Sequence, residues 1–160
     1  MPAQEKDFHV ESSTGAILTK FWPGGHKPAY LPLTHFVVAA KSASGVVLTR
    51  AEGGDCWNLP GGTLTGKESV LDEASEKFRQ QTGLGTAITA VLGYFRIVWP
   101  GRVEYGALVV GISDDSAARE APEFPVDIHV WDFNADLNGL DPIGVALAGA
   151  AAESLAWHGQ

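Results

Sequence analysis

GTLTGKESVLDEASEKFRQQTGL, residues 62–84, is the stretch from which the rest of the chain is best read. Ser69 with Asp72 three residues later makes a capping-box-like start, with Asp where Glu is usual. Val70, Leu71, Ala74 and Phe78 then recur at helical spacing. Thr82-Gly83 supplies the stop, since glycine tolerates the left-handed conformation that ends a helix. The spacing predicts one amphipathic helix launched from a glycine-containing loop.

At about 100° per residue, Leu71, Ala74 and Phe78 form a core-facing stripe. Lys77, Gln80 and Gln81 gather on a neighbouring face, with Glu73 one turn earlier on that face and Glu76 beside Gln80. Upstream, Pro60-Gly61-Gly62 and Gly66 form a Gly-rich loop running into the helix. Its backbone N–H groups can meet phosphate oxygens, and a plain turn has the same composition.

Working outward, residues 34–40 (THFVVAA) and 46–50 (VVLTR) are apolar, β-branched runs either side of a turn at 41–45, which is a hairpin signal. Residues 57–59 read as a short extended piece. Two further β-rich runs, 86–98 and 103–112, flank Trp99-Pro100-Gly101-Arg102, and 126–133 alternates like another strand. Residues 8–21 read as a strand or hairpin, followed by a loop at 22–32 with three prolines. Asp141-Pro142 places an N-cap before a first-turn proline, and the helical pattern runs on to about Trp157. Strands before, between and after two helices predict an α/β or α+β sandwich.

Composition bounds the function. The chain has 160 residues, 45% of them apolar and 19% charged, which suits one soluble globular domain, 1–160. No apolar run approaches the roughly 20 residues of a membrane helix. The start, MPAQEKDFHV, lacks the basic-then-apolar pattern of a secretory signal. A lone Cys56 makes no internal disulfide, so a reducing cytoplasm is expected. Eleven basic against nineteen acidic residues give a net charge of −8. That balance argues against a nucleic acid polymer as partner, whose affinity comes from Lys and Arg. Acidic residues can hold a divalent metal carrying a small phosphorylated ligand, or simply keep the protein soluble.

The 62–84 segment resembles the Nudix box, G-x5-E-x7-R-E-U-x-E-E-x-G-U with U apolar. Gly62, Glu68, Phe78, Gly83 and Leu84 fall on the matching positions, and Trp57-Asn58-Leu59-Pro60-Gly61 resembles the usual lead-in. The resemblance implies an α/β/α sandwich with a mixed sheet, the box helix on one face and the C-terminal helix on the other. Residues 1–33 would be an N-terminal strand and loop extension. It also implies hydrolysis of a nucleoside diphosphate linked to another moiety, with Mg²⁺ or Mn²⁺ held by three box glutamates. Here Lys77, Gln80 and Gln81 stand in their places, and Glu76 replaces the arginine that would pair with Glu68.

Two readings follow. One is a binding protein, weak or inactive as a hydrolase and needing no metal. It would hold a nucleotide or phosphorylated small molecule through Gly61, Gly62, Lys77, Gln80, Gln81 and Arg50. The alternative is a divergent Mg- or Mn-dependent pyrophosphohydrolase, with Glu73, Glu76 and Glu104 as catalytic residues and Glu73 with Glu76 as metal ligands. Trp57 and Trp99 read as packing residues, and Arg96 and Arg102 lie near strand ends where an anion could meet them. The five histidines show no metal-ligand spacing. A monomer or a homodimer fits either reading.

Overall fold

A computed structural model describes residues 6–51, 54–84, 86–113, 126–134 and 136–154. Eight strands and two helices alternate in the order β1 (Lys6–Glu11), β2 (Ile17–Pro23), β3 (His35–Ser42), β4 (Gly45–Ala51), β5 (Gly61–Thr63), α1 (Val70–Thr82), β6 (Thr86–Trp99), β7 (Arg102–Ser113), β8 (Val126–Trp131) and α2 (Pro142–Ala152). They build one sheet ordered β1-β2-β6-β7-β3-β4-β8, with β5 added to β3. Every pairing is antiparallel except β3 with β7, so the sheet is mixed.

Alternation along the strands sorts the core into two layers. Phe36, Val38, Ala40, Val47, Ala107 and Val109 point to one face and pack with Ala74 and Phe78 of α1. Ala39, Val46, Leu48, Leu108 and Val110 point to the other and pack with Ile143, Leu147 and Ala148 of α2. The result is an α/β/α sandwich, as expected from the resemblance.

Local chemistry sets the box helix. Ser69 is the N-cap and its hydroxyl accepts from the Asp72 amide at 3.1 Å. Gly83 has φ 71° and ends the helix, its amide donating to the Arg79 carbonyl. The turn at 99–102 joins β6 to β7, whose ladder carries Gly106 opposite Phe95. A Cβ on Gly106 would lie 2.2 Å from that buried ring, so only glycine fits beneath it.

Several expectations shift. Residues 8–21 form the hairpin of the two alternatives, β1 with β2, and β2 is a full member of the sheet through β6. The extended piece at 57–59 makes only isolated bridges, from Asn58 to Thr49 and from Trp57 to Leu140. The true strand is the glycine pair that follows it. β8 stops at Trp131 because Phe133 turns into positive φ, 71°, with its ring 4.9 Å from that of Trp131. Helix α2 is described to Ala152, and Trp157 lies outside the described residues.

Candidate ligand site at the box helix

Among the described residues β5 has a strand neighbour on one side only, β3. Val38 donates its amide to the Pro60 carbonyl, and Leu64 its own to the Thr34 carbonyl, both at 2.8 Å. Residues 60, 62 and 64 therefore face β3, and the carbonyls of Gly61 and Thr63 face α1. Two residues of strand span about 6.6 Å and four residues of helix about 6 Å, so the two rows match. Gln81 Nε2 donates to the Gly61 carbonyl at 2.7 Å, and Lys77 Nζ donates to the Thr63 carbonyl. The Lys77 ammonium also lies 5.9 Å from the centre of the Phe36 ring. Gly61 is required by crowding, since a Cβ there would sit 2.5 Å from the Phe36 carbonyl oxygen.

Glu73 is buried at 7% exposure, although the helical wheel places it on the ligand face. The loop before α1 folds over it. Its carboxylate accepts from the Thr65 amide at 2.8 Å, the Thr65 hydroxyl at 2.7 Å and the Gly66 amide at 3.1 Å. The Thr65 hydroxyl first, then the Thr65 and Gly66 amides and the Lys77 charge, hold its carboxyl below the usual range, against an opposing push from burial. Glu73 is thus the loop's anchor, where the family pattern would use Glu68 with an arginine; Glu68 itself is exposed. Thr65 went unnoticed in the sequence. The signal for it is an acid in the first helical turn, placed to reach back to loop amides.

Glu76 is occupied elsewhere. Its Oε1 accepts from Arg79 Nη2 at 2.8 Å and from Gln80 Nε2 at 3.1 Å. Glu73 and Glu76 consequently point to different partners and do not converge.

Arg50 and Glu104 lie across the sheet from Lys77. Arg50 shares the α2-side face with Leu48, donates to Asp127 Oδ2 at 2.8 and 3.1 Å, and lies 4.5 Å over the Trp57 ring. Glu104 sits opposite Ile97, which packs into the α2-side core. Its Oε1 is 3.0 Å from Arg102 Nε and 3.7 Å from His35 Nε2. The structure therefore gathers Gly61, Lys77 and Gln81 at one place, with Gly62 beside them, while Gln80 reaches Glu76. It sets Glu104 and Arg50 apart from them.

Solved structures share this architecture. The Bacillus subtilis pyrophosphohydrolase RppH matches with a TM-score of 0.63 over 89% of this chain and 92% of its own, at 12% identity. A Nudix hydrolase family member from Chromobacterium violaceum matches with a TM-score of 0.54 over 81% and 85%, at 19% identity. The chain has the Nudix fold. An ADP-ribose pyrophosphatase from Streptococcus suis, at 17% identity, matches with a TM-score of 0.57 over 77% of this chain and 93% of its own. No family model and no curated protein matches the sequence.

The resemblance to the Nudix box implies Mg²⁺ or Mn²⁺. Hard cations are held by oxygen ligands, and the Gly61 and Thr63 carbonyls supply two. In this Nudix fold, however, α1 offers those carbonyls an ammonium and an amide N–H. Among the described residues no three or more His, Cys, Asp or Glu side chains are grouped to hold a metal. The described side chains that meet these two carbonyls are thus donors, where a hard cation takes acceptors. No described helix is long and apolar enough to cross a membrane.

Proposed function

We propose that this Nudix-fold protein binds a nucleotide or another phosphorylated small molecule without hydrolysing it. The observation that carries this reading is the replacement of cation ligands by donors: Lys77 and Gln81 answer the carbonyls of Thr63 and Gly61 from within the chain. An ammonium has three N–H donors and Lys77 uses one on Thr63. The others remain for a phosphate oxygen, which needs no metal to meet a positive charge. Relatives named as a pyrophosphohydrolase and an ADP-ribose pyrophosphatase support a phosphate-bearing ligand. The single free Cys56 suits a cytoplasmic protein.

The test is product formation from nucleoside di- and triphosphates, nucleotide sugars and dinucleoside polyphosphates, each with Mg²⁺, Mn²⁺ or chelator, beside thermal melts. The expected result is no turnover, with stabilisation by at least one of these ligands that survives chelation and is lost in Lys77→Met. Metal-dependent turnover that disappears in Glu73→Gln or Glu76→Gln would overturn it in favour of a divergent hydrolase.

A further inference from the structure

Lys77 stands where the Nudix box has a glutamate, and the chain holds its ammonium in place from two sides. The Thr63 carbonyl accepts from Nζ, and the Phe36 ring lies 5.9 Å from it. One turn on, Gln81 takes the Gly61 carbonyl, so neither carbonyl of β5 that faces α1 is left for a metal. The acids of α1 do not offset this charge toward a second cation. Glu73 is taken by the Thr65 hydroxyl and the amides of Thr65 and Gly66, and Glu76 by Arg79 and Gln80. Asp72 is exposed and lies about 140° round the helix axis from Lys77.

A di- or triphosphate group exists in two forms. Free, it offers a row of anionic oxygens, each an acceptor. Chelated, it has spent several of them on Mg²⁺, which keeps waters of its own and brings two positive charges. Lys77 has two N–H donors beyond the one on Thr63, which suit the free oxygens. A divalent ion brought against the same ammonium is repelled, and strongly so at a partly buried surface. The geometry thus favours one form of the ligand over the other.

We infer that this site takes di- and triphosphate groups in their metal-free form and excludes the Mg²⁺ chelate, so that its occupancy falls as Mg²⁺ rises. The inference rests on the function proposed above and adds its regulation: Mg²⁺ is an antagonist of the site.

Calorimetric titration of the full chain with inorganic pyrophosphate and with ADP tests it, in chelator and in saturating Mg²⁺. Both arms are held at equal ionic strength, so that screening is the same in each. The wild type is expected to bind in chelator and to lose affinity by about tenfold or more in Mg²⁺. Lys77→Arg keeps the charge and is expected to keep both the binding and its loss. Lys77→Met is expected to abolish binding in chelator. Binding in both arms that is as tight or tighter in Mg²⁺ would overturn the inference and leave the proposed function standing. Binding in chelator that Lys77→Met leaves intact would overturn the assignment to this site. No binding of either probe in chelator would overturn the inference and the proposed function together.

Discussion

Replacing Lys77, Gln80 and Gln81 together by Glu turns the two donors that meet β5, Lys77 and Gln81, and their neighbour Gln80 into acceptors. The Gly61 carbonyl, part-buried against Gln81, would lose its partner and face a carboxylate. An unmet buried acceptor costs about 1–3 kcal/mol. The Lys77 contact to Thr63 is exposed, so water replaces it and its loss adds little. For a chain of this size each kcal/mol moves the melting temperature by about 2–4 °C. The triple variant in chelator is therefore expected to melt about 2–12 °C below the wild type. The same substitution sets two carboxylates against the two carbonyls and a third one turn away beside Glu76, oxygen ligands suited to a hard cation. At a hundred times its dissociation constant Mg²⁺ or Mn²⁺ would restore about 2.7 kcal/mol, or roughly 5–11 °C. Differential scanning calorimetry with and without metal reads both changes, and the wild type should not respond. A triple variant that is indifferent to metal, or a wild type that gains as much as the variant, would refute the placement of these side chains.

Two further outcomes are expected. Glu73 titrates below the usual range when folded, so its stabilisation is complete above about pH 5 and fades as pH falls through its lowered value. The gap in melting temperature between wild type and Glu73→Gln should thus be constant near neutrality and close in acid; a gap unchanged down to pH 3 would show that charge is not what anchors the loop. Gly106→Ala pushes a Cβ into the Phe95 ring and should lower stability by about 1–3 kcal/mol by urea titration, whereas an unchanged midpoint would mean that the ring can move aside.

The box helix was readable because its determinants are local: a serine cap, a glycine stop and apolar residues at helical spacing all lie within one segment. The hairpin turns were readable for the same reason. β5 was not, because glycine has no strand preference and its three residues are extended only by pairing with β3. Glu73 was misplaced by the wheel, which locates a side chain around the axis but knows nothing of a loop folding over it. Arg50 and Glu104 could have been separated from Lys77 by parity alone. Arg50 keeps step with Leu48, and Glu104 with Leu108, both of which belong to the α2-side core. The pairing of Asn58 with Asp141 joins residues 83 apart, and no local pattern announces it.

The parallel ladder between β3 and β7 is the one place where two halves of the sheet meet, β1-β2-β6-β7 on one side and β3, β4, β5 and β8 on the other. Antiparallel neighbours such as β6 and β7 can zip from their turn, but β3 must wait for a partner made much later in the chain. Both helices lie across this joint. α1 rests on β6 of one half and on β3 and β5 of the other, while α2 touches β1, β7 and β3. The strand that carries the Gly61 and Thr63 carbonyls belongs to one half and β6, which α1 also packs on, to the other, so the box helix has its full set of partners only when the two halves are joined.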